Sequence, residues 1–171
     1  MKKFRRLFLL IAMVLACTLC ACSEYAAMGT GIGLANSYKT KTKSTVPDAE
    51  KYYYDLKNVV LYLDTYGELP LNYITKKEAK KRGWEGGSVE KYVKDAAIGG
   101  DYYGNFEKKL PKKKGVTYHE CDIDTHGYKN RGSRRLIYSS DGKYYYTQNH
   151  YESFREVRVQ NGKIKIGKEI K

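Results

Sequence analysis

Cysteine is almost missing from the body of this 171-residue chain: of its 4 cysteines, Cys17, Cys20 and Cys22 crowd the first residues and only Cys121 lies beyond them. That distribution excludes a disulfide framework, and no Cys/His cluster has the spacing of a zinc site. Cys121 therefore reads as a small buried apolar residue. Acidic residues are few as well, 19 Asp+Glu against 32 Lys+Arg, which leaves a formal charge of +13. A surface of that sign favours polyanions, either nucleic acid or an anionic membrane or wall, and composition does not choose between them. The longest apolar run, Leu7 to Leu15, is short of the ~20 residues that span a bilayer comfortably. There is no internal repeat, and the only glycine-rich stretch, "GTGIG" at 29–33, has neither a preceding strand nor the partner residues a phosphate loop requires.

What remains fits one ordinary domain with a targeting segment and a tether. The start, "MKKFRRLFLLIAMVLACTLCACS", has a basic n-region, an apolar run and then small residues, the pattern of a bacterial export signal. Leu19-Cys20-Ala21-Cys22 resembles a lipobox and makes Cys22 the expected lipid-bearing residue; Val14-Leu15-Ala16-Cys17 is a second candidate, and a plain signal peptide cut near Ala21 is the alternative. Residues 1–22 are thus expected to be a signal peptide of lipoprotein type, 23–46 a flexible tether mixing Gly, Ser, Thr and Lys, and 47–171 the folded domain. The protein is then expected at the cell surface or outside the cell, touching membrane only through a lipid anchor.

Within the domain the first half reads as helical. From Pro47 onward, Tyr53, Leu56, Val59, Val60 and Leu63 recur at helical spacing, with Gly67 and Pro70 as the stop, which predicts a helix of about 15 to 20 residues. Thr75-x-x-Glu78 is a capping box that starts a second helix, ended by Gly83. Lys76 falls in its first turn, where the helix dipole disfavours a cation, so its presence needs a reason. A third short helix is predicted over 88–96, and "IGGD" at 98–101 reads as a break. Thereafter strands are predicted over 116–124, 134–139, 143–148 and 154–159, and Asn161-Gly162 closes a final hairpin with 163–166. Helices followed by a twisted antiparallel β-sheet make an α+β domain. Among the 18 tyrosines, runs such as Tyr144-Tyr145-Tyr146 suit ordinary strands, with base stacking as the functional alternative.

In "TYHECDID", 117–124, Cys121 and Ile123 alternate with Tyr118, Glu120 and Asp122, so the second set is expected on a solvent-facing side. In "RGSRRLIYSSD", Leu136 and Tyr138 point to the core, which puts Arg135 opposite and within reach of Glu120 across the strands. Lys76, Arg131 and the "NHY" of 149–151 add polar residues in loops. A metal-free phosphodiester cleavage needs a base, an acid and fixed cations, and Glu120, His150 and the group Lys76, Arg131 and Arg135 could supply them. Three histidines exist, however, and spacing alone does not select His150 over His119 or His126.

The ordered segments "LPLNYITKKEAKKRGW", "IGGDYYGNFEKKLP", "TYHECDID", "RGSRRLIYSSD" and "NHYESF" resemble the barnase-type guanyl-preferring microbial ribonucleases over residues 50 to 157, with the "YHE" and "RGSRR" segments closer to streptomycete members of that superfamily. The resemblance implies a single α+β ribonuclease domain. It implies Glu120 as general base and His150 as general acid, and Lys76, Arg131 and Arg135 as phosphate-binding cations. Tyr151 is implied beside the substrate base, while Tyr103, Gly104, Asn105 and Glu107 match a guanine site; Asp122 is a structural partner for the arginines. The partners implied are single-stranded RNA and a barstar-like inhibitor, with no cofactor, no metal and a monomeric chain. Departures from the family pattern are Phe106, which replaces an arginine found in many relatives, a shorter segment between Trp84 and Ile98, and an additional tail beyond about Arg158. The competing reading is a noncatalytic basic surface lipoprotein that binds nucleic acid or wall polymer.

Overall fold

A computed structural model of the chain describes residues 46–171; the expected signal peptide, Cys22 and the tether as far as residue 45 lie outside the described residues. Helix α1 spans Leu56–Tyr66 and is shorter than its periodicity implied, because Asp55 caps it by accepting from the backbone N–H of Asn58. The residues before Asp55 form a lead-in that tyrosine hydroxyls pin down: Tyr66 Oη donates to the Pro47 carbonyl at 2.6 Å and Tyr62 Oη to that of Ala49 at 3.1 Å. Gly67 ends the helix as expected, at φ 70°, with its N–H on the Leu63 carbonyl.

Helix α2 is the single turn and a half Lys76–Lys80, and the Thr75/Glu78 capping box forms in both directions. The third predicted helix is only a 3₁₀ turn, Val89–Lys91. Ser88 caps it by accepting from the Glu90 N–H, but Asp95 adopts φ 58° and redirects the chain at once.

Among the described residues seven strands follow one another across a mixed sheet in chain order: β1 (Tyr73–Ile74), β2 (Ala97–Tyr103), β3 (Tyr118–Asp122), β4 (Arg135–Ser139), β5 (Tyr144–Thr147), β6 (Phe154–Gln160) and β7 (Lys163–Ile170). The two-residue β1 pairs parallel with β2 and every other neighbour is antiparallel. The "IGGD" stretch, read as a break, lies inside β2. A Cβ on Gly99 would sit 2.6 Å from the Cys121 Cβ and 2.6 Å from the Tyr73 ring, so glycine here permits close approach. Gly100 at φ 93° accompanies a register shift between Gly99 and Asp101, a bulge that turns the strand without ending it.

The sheet is covered on both faces. On one, Val59, Val60 and Leu63 of α1 pack against Cys121, Ile123, Leu136, Tyr144, Tyr146 and Val157. On the other, Tyr118, Ile137, Tyr145 and Phe154 form a second core with Leu110, from the long loop between β2 and β3. The expectation of a solvent-facing side for Tyr118, Glu120 and Asp122 is therefore overturned, since they are only 8, 7 and 1% exposed. The loop folds over Tyr118, whose Oη donates to the Pro111 carbonyl at 2.5 Å, while Glu120 is enclosed by Lys76 and Tyr151 and Asp122 by Arg131 and Arg135.

Asn161 and Gly162 take φ 51° and 66°, the pair of left-handed residues that an Asn-Gly hairpin needs. Strand β7 runs past its predicted end and returns alongside β6 until Ile170 faces Phe154. Its Ile164 packs on the first core and its Ile170 on the second. Deleting residues 161–171 removes two partly buried isoleucines and a strand pairing, so a stability loss of about 3 kcal/mol is expected, read as a Tm lower by roughly 10 °C in thermal unfolding followed by circular dichroism. An unchanged Tm would show that β7 is a passenger.

Candidate active site

Glu120 occupies the middle of β3 and is held from two sides. Its Oε1 is ion-paired with Lys76 Nζ, and its Oε2 accepts from the Tyr151 hydroxyl at 2.6 Å. The sequence left a lysine in the first turn of a helix unexplained. The Lys76 backbone N–H donates to Asp101 Oδ2 at 2.9 Å, so a carboxylate from the β2 bulge supplies the negative charge that the helix start favours. The Lys76 side chain is released to reach Glu120.

The predicted Arg135–Glu120 pair does not form. The β3–β4 register sets Ile137 opposite Glu120 and Arg135 opposite Asp122. Arg135 Nε lies 3.0 Å from Asp122 Oδ1, close enough for an ion pair, although its N–H is not aligned for a hydrogen bond. Arg131 grips the same carboxylate with both Nε (2.7 Å) and Nη2 (2.8 Å) and lies over the Trp84 ring at 5.6 Å. The expected structural role of Asp122 thus has its geometry: a carboxylate 1% exposed fixes two guanidiniums beside Glu120.

His150 and Tyr151 sit on the loop between β5 and β6 with φ 56° and 75°. Consecutive left-handed non-glycine residues cost on the order of 1 kcal/mol or more each, so the loop must be over-determined. It is. The His150 N–H donates to the Ser133 carbonyl at 3.1 Å, and the Tyr151 N–H donates to Thr147 Oγ1 at 3.0 Å. Thr147 Oγ1 in turn donates to Asn149 Oδ1 at 3.0 Å, an oxygen that also receives the Ser153 N–H at 3.1 Å. The His150 imidazole is left exposed, 4.8 Å from the Tyr151 ring. Tyr151 itself is stacked on Tyr103 at 5.5 Å, and burial, reinforced by its bond to the Glu120 carboxylate, pushes its phenol well above the ordinary value.

The loop after Tyr103 closes on Asn105, whose side chain donates to the Leu110 carbonyl at 2.7 Å and accepts from the Leu110 N–H at 3.0 Å. The Asn105 side chain is therefore occupied in building the loop. Gly104 lies under the Phe106 ring, where a Cβ would fall 2.3 Å from a ring carbon, and Phe106 is itself 92% exposed. Glu107 is exposed and paired with Lys109 at 2.9 Å. Lys109, missed from the sequence, also donates to the carbonyls of Tyr151 at 3.1 Å and Glu152 at 2.9 Å, tying this loop to the His150 loop. Asp101, Ser133 and Thr147 were missed too, and Asn149 stood only as a polar residue of the "NHY" loop. Only Asp101 had a signal, as the residue after a Gly-Gly bulge.

Among the described residues one group could hold a metal ion, Glu90, Asp95 and His126. It shares no residue with the Glu120 cluster, and His126 Nδ1 already lies 2.5 Å from Glu90 Oε1. An open cleft of about 600 Å³ near it, lined by Tyr52, Tyr54, His126, Tyr128 and Arg134 among others, is likewise separate from Glu120. The cluster of Glu120, Lys76, Tyr151, Arg131, Arg135 and His150 combines a proton acceptor, a titratable imidazole and three cations. That set is suited to acid–base chemistry on an anionic substrate.

Comparison with known proteins agrees. The family model for ribonuclease matches residues 57–158, a span that holds all of these residues. The chain is 41% identical over 100 residues to a ribonuclease of Heyndrickxia coagulans, covering 57% of this chain and 90% of that one. It is also 41% identical over 100 residues to a ribonuclease of Bacillus intermedius, of which it spans 60%. To guanyl-specific ribonuclease St of Saccharopolyspora erythraea it is 38% identical over 71 residues, 42% of this chain and 66% of the relative. With its α+β fold and a matched span running through every residue of the cluster, the chain belongs to the barnase-type microbial ribonuclease family and is an RNA endonuclease.

Proposed function

We propose that the protein is an exported, metal-independent endoribonuclease that cleaves single-stranded RNA on the 3′ side of guanosine. The observation that carries this reading is the Glu120 carboxylate, held between Lys76 Nζ and the Tyr151 hydroxyl on the same loop as His150. In the first step Glu120 takes the proton of the 2′-hydroxyl, the 2′-oxygen attacks phosphorus, and the bond to the 5′-oxygen breaks as His150 gives that oxygen a proton. The product is a 2′,3′-cyclic phosphate. In the second step the roles reverse: His150 activates water and Glu120 returns its proton to the 2′-oxygen. Lys76, Arg131 and Arg135 hold the phosphoryl oxygens, where negative charge develops.

Guanine is read by the 103–107 loop. Its backbone N–H groups meet O6 and N7, the Glu107 carboxylate accepts from N1–H and the N2 amine, and Tyr151, stacked on Tyr103, lies beside the base. The guanyl-specific relative supports this preference. Export rests on the basic and apolar N-terminal sequence with Cys22 as lipid site. An acidic barstar-like inhibitor is proposed to cover the same cations; Phe106, standing where many relatives have arginine, removes one contact from that partner.

The test is incubation of purified protein with single-stranded RNA and with DNA of the same sequence in excess EDTA. RNA fragments ending in cyclic phosphate after guanosine, with DNA intact for want of a 2′-hydroxyl, are expected. Three phosphate-binding side chains predict a log K against log salt slope of about −2. No cleavage in EDTA would reject the reading.

A further inference from the structure

The ammonium of Lys109 donates to two backbone oxygens, the Tyr151 carbonyl at 3.1 Å and the Glu152 carbonyl at 2.9 Å, and is ion-paired with Glu107 Oε2 at 2.9 Å. Those partners belong to different parts of the site. Two are backbone oxygens of the loop that carries His150, and the third is the carboxylate assigned to guanine. A lysine used only for solubility would extend into water, yet the Lys109 side chain is 26% exposed. The His150 loop also needs support from this side. His150 and Tyr151 are both left-handed, and their N–H groups are already tied to Ser133 and Thr147, so Lys109 supplies the matching restraint on the carbonyl side.

We infer that Lys109 is a positioning residue that couples recognition of the 5′ base to placement of the general acid. This rests on the nuclease reading above. When guanine engages the Glu107 carboxylate, that carboxylate is fixed, and Lys109 with it. Lys109 then holds the Tyr151 and Glu152 carbonyls, so the His150 imidazole is presented to the leaving 5′-oxygen. A different 5′ base does not engage Glu107, so the restraint passed through Lys109 is weaker and the acid is less well placed. Guanine preference then appears in kcat as well as in KM, although Lys109 need not touch the substrate.

The experiment compares wild type, Lys109→Met, Glu107→Gln and the double variant on dinucleoside phosphates with guanine or adenine at the 5′ position. For Lys109→Met, kcat on the guanine substrate is expected to fall about 30-fold, with KM changed less than about threefold and the adenine substrate slowed far less. The guanine-to-adenine ratio of kcat therefore shrinks about tenfold or more, a change that a general loosening of the fold would not produce. The double variant should be no slower than the slower single variant, because both remove one coupling. Equal slowing on both bases, a kcat within about twofold of wild type, or multiplying effects in the double variant would each overturn the inference. The wild-type control keeps two failures apart: no turnover by wild type rejects the nuclease reading and the coupling with it, whereas turnover with an unchanged base ratio in Lys109→Met overturns the coupling alone.

Discussion

Glu120→Ala and His150→Ala each lower kcat on single-stranded RNA by about 10³-fold, with KM changed only a few-fold, because each removes one proton-transfer partner from the transition state. The two losses should not multiply: without its acid the site gains little from its base, and the double variant should resemble the slower single one. Folding should survive both changes. His150 is exposed, and removing Glu120 leaves Lys76 37% exposed by its side chain and able to turn to water. The measurement is steady-state cleavage of a guanosine dinucleotide together with circular dichroism of each variant. Undiminished turnover in either folded variant would place the chemistry elsewhere.

The second large effect is on stability. Asp122→Ala leaves Arg135, 3% exposed, without its counter-ion and takes the bidentate acceptor away from Arg131. Removing one partner of a buried pair typically costs about 3–5 kcal/mol, because the remaining charge stays desolvated. For a domain of this size that is a Tm lower by roughly 15 °C, measurable by calorimetry. Asp122→Asn keeps the shape and should recover part of the loss. Activity should fall in both variants even below their Tm, since the guanidiniums proposed to hold phosphate are oriented by this carboxylate. A Tm within a few degrees of wild type for Asp122→Ala would mean that Arg135 finds another acceptor or water.

How legible all this was depended on the range of the interaction. The Thr75/Glu78 box, Gly67 as a stop and the Asn161-Gly162 turn were readable because they are local: the residues that make the hydrogen bonds are three or four apart. The failures were non-local. Alternation placed Glu120 and Arg135 on one face correctly, but the cross-strand partner depends on register, and the observed pairing gives Arg135 to Asp122. Period-two alternation also cannot say whether a face is covered: Tyr118 is closed off by the loop before β3, and Glu120 by Lys76 and Tyr151 from distant segments. In sequence, Gly99-Gly100 reads as a break because glycine marks both a stop and a close approach, and only the position of Cys121 and Tyr73 decides between them. In the site, the resemblance supplied Glu120, His150 and the cations. Of the residues that hold those groups in place, Lys109 and Ser133 reach from one loop to another, and loops leave no periodic trace, whereas Thr147 at the end of β5 and Asn149 bond within the irregular turn itself.

The order of the sheet has one further consequence. With the strands arranged as they occur in the chain, its two edges among the described residues are β1, only two residues long, and β7, whose exposed Lys163, Lys165 and Lys168 would meet their own like charges if a second copy added as a strand. Neither edge is a good template for β-addition. Strand β7 lies past the family's matched span, so the lysines that disfavour edge pairing there come with the additional tail.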